Sequence, residues 1–246
     1  MRRVVRGFWG PREESVEALA GRWKRTLDRL AELLPAADPG AADGTAGAGG
    51  APWTWQQVQS EGPATALRAD EPSLLAALRA VQAADGWTDT TGTGLSLVAG
   101  NAAGWRIDTG GRAGGTSEFL LQAVLIGIEA PDGAEVPDAA LLAAVAEIWE
   151  PDFGGVTDDD VLDTLEDDGD FDPDEPSVGW VGHLSPARAA LLPDELAVTR
   201  TELPDGGALL DIAPRSDTEA VLAANLRLRD AGALEPLPRP MARALL

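Results

Sequence analysis

The 246-residue chain contains 41 acidic and 19 basic residues, which gives a formal net charge of −22. Phosphate backbones and anionic membrane surfaces repel so acidic a chain, so nucleic acid and membranes are excluded as expected partners. The chain contains no cysteine, which excludes disulfide bonds and thiolate chemistry.

Composition also predicts a folded protein. A hydrophobic content of 44% and eight tryptophans are typical of a globular chain with a sizeable core. The longest mainly apolar stretch, residues 119–128, is too short to span a bilayer. No apolar signal core follows the first residues, so we expect a cytoplasmic protein.

The first half of the chain predicts two helices and three strands. In order, these are a strand at residues 4–9, a helix that opens at Gly10-Pro11 and stops at Pro35, a helix that opens at Asp70, and a hairpin of strands at 94–99 and 104–109. The first helix is indicated by apolar residues that recur every three or four positions. Residues 35–52 contain only Ala, Gly, Pro, Asp and Thr, which predicts a flexible insertion rather than a domain boundary.

The second half mixes strands and helices without a regular alternation. The predicted elements are a central strand at 119–128, a helix after Pro137, a helical turn at 158–165, a strand at 178–184, a short helix from Ser185-Pro186 to Pro193, a hairpin of 196–202 and 207–213, and a last helix from a capping box at Ser216–Glu219 to Gly232. Strand pairs joined by short turns favour an antiparallel sheet. The expected fold is therefore a single α+β domain, with helices packed on a mostly antiparallel sheet.

Negative charge is concentrated in an acidic segment at residues 158–175. It holds eleven acids in eighteen positions, and no Lys or Arg occurs between Arg112 and Arg188. Such a run is typical of a solvated loop, or it is a docking surface for a basic protein. For the second interpretation, Phe153 and Phe171 are candidate apolar anchors among the charges. The candidate partner-binding residues are Asp158, Asp159, Asp160, Asp163, Glu166, Asp167, Asp168 and Phe171.

The acidic segment only partly matches a calcium-binding loop. Counted from Asp168, the sixth position is Pro173, where the loop needs Gly, and the twelfth is Gly179, where it needs Glu. We therefore expect weak, non-specific attraction of divalent cations and no cofactor or dedicated metal site. A carboxylate- or metal-dependent hydrolase that uses the acidic cluster remains the alternative, because the separation of two carboxylates in space cannot be read from the sequence.

His183 is the only histidine, so a Ser–His–Asp arrangement would have to use it. No Gly-x-Ser-x-Gly elbow is present, and the expected role is a partly buried or edge-strand histidine with satisfied hydrogen bonds. We therefore predict a protein that is not an enzyme. Trp23 and Trp149 lie on apolar helical faces and are expected in the core, whereas Trp53 and Trp55 are alternative exposed binding anchors.

Four motifs in order resemble the immunity protein 52 family of bacterial polymorphic toxin systems. They are Gly7-Phe8-Trp9-Gly10-Pro11-Arg12-Glu13-Glu14-Ser15, Trp149-Glu150-Pro151-Asp152, Ser177-Val178-Gly179-Trp180-Val181-Gly182-His183-Leu184-Ser185, and Leu226 through Ala231-Gly232-Ala233-Leu234. The resemblance implies an antitoxin that binds and blocks a cognate toxin, commonly a nuclease, without catalytic residues of its own. It also implies structural roles for Trp9, Gly10, Gly179 and Trp180.

The charge pattern agrees with this implication on physical grounds. A nuclease active site lies in a cationic groove that accommodates phosphates. An acidic inhibitor can occupy such a groove, and it associates fast at low salt and more slowly at high salt. The sequence therefore predicts that the face formed by residues 158–175 docks a basic toxin.

Overall fold

The computed structural model describes residues 2–34, 53–59, 62–101, 104–172, 175–193 and 195–241. Its strands are β1 (Arg2–Trp9), β2 (Thr54–Gln57), β3 (Thr65–Leu67), β4 (Thr93–Gly100), β5 (Arg106–Ala113), β6 (Gln122–Glu129), β7 (Phe153–Thr157), β8 (Val181–Leu184), β9 (Thr199–Glu202) and β10 (Ala208–Asp211). Its helices are α1 (Val16–Leu33), α2 (Glu71–Gln82), α3 (Asp138–Trp149), α4 (Asp159–Gly169), α5 (Pro186–Ala189) and α6 (Thr218–Asp230). The predicted insertion at 35–52 and positions 173 and 174 of the acidic segment lie outside the described residues.

The strands form one ten-stranded sheet in the order β3-β2-β4-β5-β6-β1-β7-β8-β10-β9. Each strand pair between described residues is antiparallel. The predicted α+β fold with a mostly antiparallel sheet is confirmed, and β6 lies near the middle of the sheet as predicted. None of the helices in the described part of the chain combines the length and apolar character needed to cross a membrane.

Three helices cover one side of the sheet, which we call the front face. Helix α3 lies across β1, β7, β8 and β10, α1 packs beside α3, and α2 packs on β4. The ring of Trp149 stacks on Trp9 at 5.6 Å between centroids and meets Trp23 edge-on at 5.2 Å. All three side chains are at most 2% exposed, which confirms the prediction that Trp23 and Trp149 are core residues.

The opposite side, the back face, is covered over only part of its area. On β7, β8 and β10, the side chains of Phe153, Leu184 and Leu210 pack against residues of α6 and the segment that follows it. On β4, β5 and β6, by contrast, back-face side chains such as Ser96 and Leu125 are exposed. This uncovered part, the open half of the back face, is in contact with water, as one side of an antiparallel sheet can be.

Several predicted boundaries are wrong. Helix α1 begins at Val16, not at Gly10-Pro11, because the Ser15 side chain accepts the backbone N–H of Ala18 and caps the helix there. The last helix is capped by Asp217, one residue after the predicted cap. No predicted element corresponds to strand β7, and the predicted helical turn at 158–165 is a complete helix of 11 residues, α4.

Candidate partner-binding surface

The acidic segment folds mainly as helix α4. The Asp158 side chain accepts the backbone N–H of Val161 at 3.2 Å, which caps the first turn. Val161, Leu165 and Gly169, spaced by four, are buried towards α6. A side chain at Gly169 would collide with Leu222 of α6 at 2.7 Å, so the two helices are in close contact. This packing turns the acidic residues of α4 outwards.

Six acids of α4 form an exposed face, which we call the α4 acidic face. None of them lies within 4 Å of a basic side chain among the residues that the structure describes. The face continues in the exposed Asp170 and Asp172, while Asp174 lies outside the described residues. Its members on the helix are Asp159, Asp160, Asp163, Glu166, Asp167 and Asp168.

The order of charges along α4 is not what the stability of the helix alone would favour. Asp159 and Asp160 in the first turn interact favourably with the positive end of the helix dipole. Glu166, Asp167 and Asp168 lie near the negative end, and the last turn contains no basic residue. Asp163 and Asp167 also repel each other at a spacing of four, which costs a few tenths of a kcal/mol. The acids near the C-terminus of α4 therefore weaken the helix that carries them.

Asp158 does not belong to this exposed face. Its carboxylate accepts the Nε–H of Arg215 at 2.8 Å and is only 12% exposed. The same guanidinium lies 5.3 Å from the Trp180 ring and donates to the backbone oxygen of Arg2. The prediction that Asp158 binds a partner is corrected, because its charge is already neutralised within the fold.

The two predicted apolar anchors are also corrected. Phe171 is 5% exposed, and the Arg229 guanidinium covers its ring at 4.3 Å. Phe153 is 2% exposed, stacks on Phe8 at 5.2 Å and lies beneath Arg188. Both phenylalanines are core residues that a partner cannot contact without opening the fold.

Trp53 and Trp55 are not exposed anchors either. Trp55 in β2 is 4% exposed and belongs to the core on the front face, and the half-buried Trp53 packs against it with the ring centroids 6.3 Å apart. The aromatic alternative to the acidic face is therefore wrong for this pair.

The acids do not converge on a metal-binding geometry in the part of the chain that the structure describes. No group of three or more histidine, aspartate or glutamate side chains is placed to share one ion there. The acidic side chains on α4 instead spread over an outward-facing helical surface, with the three buried positions beneath them.

Residues of the four motifs hold the two ends of helix α3. At its C-terminus, Arg12 donates to the backbone oxygen of Trp149 at 2.9 Å and covers the Trp9 ring at 5.0 Å. At its N-terminus, Trp180 donates its indole N–H to Asp138 at 2.8 Å. Because α3 crosses four strands, these contacts fix the front layer on the sheet and give the motif residues structural roles.

His183 lies in β8, an interior strand between β7 and β10, and is 1% exposed. Its partners across the two ladders are Gly154 and Leu209. Neither ring nitrogen has a hydrogen-bond partner among the described residues, so the predicted satisfied histidine is buried but not satisfied. Burial lowers the pKa of His183 to about 4, and the opposing effect of the Asp205 carboxylate is smaller. The neighbouring Ser185 hydroxyl donates to Asp152 instead, so it forms no serine–histidine pair.

The buried His183 should make the stability of the fold depend on pH. The unfolded chain protonates this histidine near its ordinary pKa of 6.5, whereas the folded chain does so near 4, so stability is lost as the pH falls from 6.5 to 4. The loss approaches roughly 3 kcal/mol by pH 4. We expect the unfolding free energy of wild type, relative to that of His183→Leu, to decrease by this amount between pH 7.5 and pH 4.

NMR titration of the His183 imidazole is the second measurement. The chain has one histidine, so its ring resonances titrate without overlap in NMR spectra. A midpoint near 6.5 in the folded state, or parallel pH profiles for wild type and His183→Leu, would contradict the buried neutral state.

No protein-family profile matches this chain, and no curated protein does either. The resemblance to the immunity protein 52 family therefore stays an expectation that rests on the four motifs.

Proposed function

We propose that this protein is an antitoxin that binds and neutralises a cognate polymorphic toxin, a nuclease with a basic groove, through the α4 acidic face. The single observation that carries the proposal is this face, six exposed acids on one helix that form no ion pair within 4 Å among the described residues. The order of the four family motifs supports the same class of protein.

Electrostatics provide the mode of action. Acids that weaken their own helix and yet remain unpaired are expected where negative charge serves an intermolecular contact. A basic groove attracts such a face from a distance, which raises the association rate, and salt screens the attraction. Occupation of the groove excludes the nucleic acid substrate. The protein then acts by binding and requires no catalytic residue or cofactor of its own.

The direct test is co-expression with the product of the neighbouring gene. If the proposal is correct, the neighbour is toxic alone, the present chain restores growth, and the two proteins purify together. A neighbour that is harmless, or that is not bound, overturns the assignment of this chain as its antitoxin.

Four substitutions test the placement of the interface. Asp163→Asn, Glu166→Gln, Asp167→Asn and Asp168→Asn together remove four exposed charges from the middle and the C-terminal end of α4, where they do not stabilise the helix. We expect the association rate with the toxin to fall by roughly 10- to 100-fold at low salt, with a shallower salt dependence. The thermal midpoint of the free protein should be unchanged or higher. Stopped-flow association over a salt series measures the first effect, and thermal unfolding measures the second.

A matched variant controls for net charge. Glu13→Gln, Glu71→Gln, Asp85→Asn and Asp89→Asn also remove four exposed acids, which lie beside α1 and α2 and form no ion pair within the described residues. This variant should associate nearly as fast as wild type. Equal slowing of both variants would assign the effect to total charge and remove the α4 acidic face as the docking site.

A further inference from the structure

Arg6 in β1 is a buried cation that no acidic side chain pairs with in the part of the chain that the structure describes. The residue is 8% exposed, and its only hydrogen bond among the described residues runs from Nη2 to the Ser177 hydroxyl oxygen at 2.7 Å. Its Nε has no partner within the described ranges, and its guanidinium lies 5.8 Å from the Phe8 ring. Burial lowers the pKa of Arg6 to about 10, which still leaves it charged at neutral pH.

Such an arrangement is unfavourable for the fold alone. An unpaired buried charge loses its hydration without a compensating attraction. The chain has 41 acids, and yet none in the described residues pairs with this guanidinium. A guanidinium offers several N–H donors in a plane that matches the two oxygens of a carboxylate. Among the described residues, the buried Nε–H of Arg6 therefore lacks an acceptor.

The register of the sheet places Arg6 beside the open half of the back face. Arg6 is directly opposite Leu125 of β6, and Phe8 is opposite Ala123, which is in turn opposite Arg112 of β5. Residues directly opposite each other in antiparallel strands point to the same side. Leu125 is 42% exposed, so the sheet becomes open to solvent one strand away from the buried Arg6.

A groove of about 790 Å³ extends over this surface. Its apolar lining includes Val58, Val81, Leu121, Ala123 and Leu125. Arg112 is the one charged residue in the lining, and it forms no ion pair within the described residues. The groove thus joins apolar surface to positive charge on a protein that is otherwise strongly acidic.

We propose that Arg6 and Ser177 bind the carboxylate group of a small organic acid whose apolar part lies in the groove over Leu125. The Arg6 guanidinium and the Ser177 hydroxyl supply hydrogen-bond donors for the carboxylate oxygens. A single negative charge suits the site better than a phosphate dianion, because Glu175 lies two residues before Ser177 and the protein as a whole repels anions. This site is separate from the α4 acidic face and does not depend on the proposed antitoxin function.

The probes are acetate, butyrate and hexanoate, added to the full chain at pH 7.5 and at constant ionic strength set with sodium chloride. We expect the thermal midpoint to rise with each carboxylate, since a ligand that binds only the folded state stabilises it. The apparent affinity should increase roughly fourfold for each methylene that enters the groove. Inorganic phosphate at the same ionic strength should give no larger rise than chloride.

Three variants separate a specific site from a general salt effect. Arg6→Met should lose the response to carboxylates while it folds, because methionine fills the buried space without a charge. Ser177→Ala should weaken the response, and Arg106→Met, which removes an exposed arginine from β5 outside the groove, should retain it. The proposal is overturned if the thermal midpoint of wild type is the same in hexanoate and in chloride. It is also overturned if Arg6→Met still responds to carboxylates, or if only phosphate raises the thermal midpoint.

Discussion

Asp152→Ala should lower the free energy of unfolding by about 3–5 kcal/mol, because it leaves a buried arginine without its carboxylate. Asp152 is 2% exposed, and one of its oxygens accepts the Arg188 Nε–H at 2.7 Å while the other accepts the Ser185 hydroxyl at 3.0 Å. Arg188 also donates to the backbone oxygen of Ala233 at 2.7 Å. The network therefore ties the start of β7 to α5 and to the segment after α6.

Urea unfolding and thermal melting measure the effect. For a chain of this size, the expected loss corresponds to a decrease of roughly 6–20 °C in Tm. The double variant Asp152→Ala with Arg188→Met should recover part of the loss, since it removes the stranded charge as well. If the losses of unfolding free energy in the two single variants simply add in the double variant, this explanation is contradicted.

An exposed ion pair provides the control. Arg29 and Glu32 on α1 also form a salt bridge, but their side chains are 43% and 60% exposed. Glu32→Ala should therefore change the free energy of unfolding by less than about 1 kcal/mol. A similar loss for both variants would mean that burial does not set the strength of the Asp152–Arg188 pair.

The elements that sequence reasoning located best are those with local signals. Helix α2 begins where predicted, because the Asp70 side chain accepts the backbone N–H of Ser73 at 2.8 Å, and this cap can be recognised within four residues. The hairpin of β4 and β5 was likewise indicated by two alternating stretches around Gly100. In both cases, the residues that determine the element are neighbours in the chain.

Strand β7 shows what local signals miss. Its sequence, Phe-Gly-Gly-Val-Thr, contains two consecutive glycines, which weaken strand propensity. The glycines are needed because other backbone segments approach them: a side chain at Gly155 would lie 2.6 Å from the backbone nitrogen of Gly179, and one at Gly154 would lie 2.4 Å from the backbone oxygen of Arg6. Those contacts join positions far apart in the sequence, and no pattern within β7 reveals them.

On the candidate surface, too, some features follow from local sequence signals and others depend on distant residues. The concentration of acids on α4 could be predicted from composition, and their exposure follows from the spacing of Val161, Leu165 and Gly169. The roles of Asp158 and Phe171 could not be predicted, because their partners Arg215 and Arg229 lie more than fifty residues away in the chain. A charge run identifies a surface, whereas ion pairs within the fold decide which of its members remain available to a partner.

Gly179→Ala should destabilise the fold by more than about 4 kcal/mol, in the range where single substitutions prevent folding. An added Cβ would lie 1.7 Å from the backbone oxygen of Val156, which already accepts the Trp180 N–H at 3.1 Å. The three atoms nearest to the added Cβ, the oxygen and carbon of Val156 and the nitrogen of Thr157, are all backbone atoms, so no side chain can rotate away. Relief requires β7 and the segment before β8 to separate, and this would also disturb Trp180 and its hydrogen bond to Asp138 at the start of α3.

Gly21→Ala is the matched control for this last prediction. Gly21 lies within α1, and nothing would approach an added Cβ there within 4 Å. Because alanine loses less conformational freedom than glycine in a helix, Gly21→Ala should stabilise the protein by about 0.5–1 kcal/mol. Urea unfolding monitored by tryptophan fluorescence should therefore move in opposite directions for the two variants. A Gly179→Ala protein within 1 kcal/mol of wild type would mean that β7 and the segment before β8 separate at little cost, and that the fold does not require this glycine.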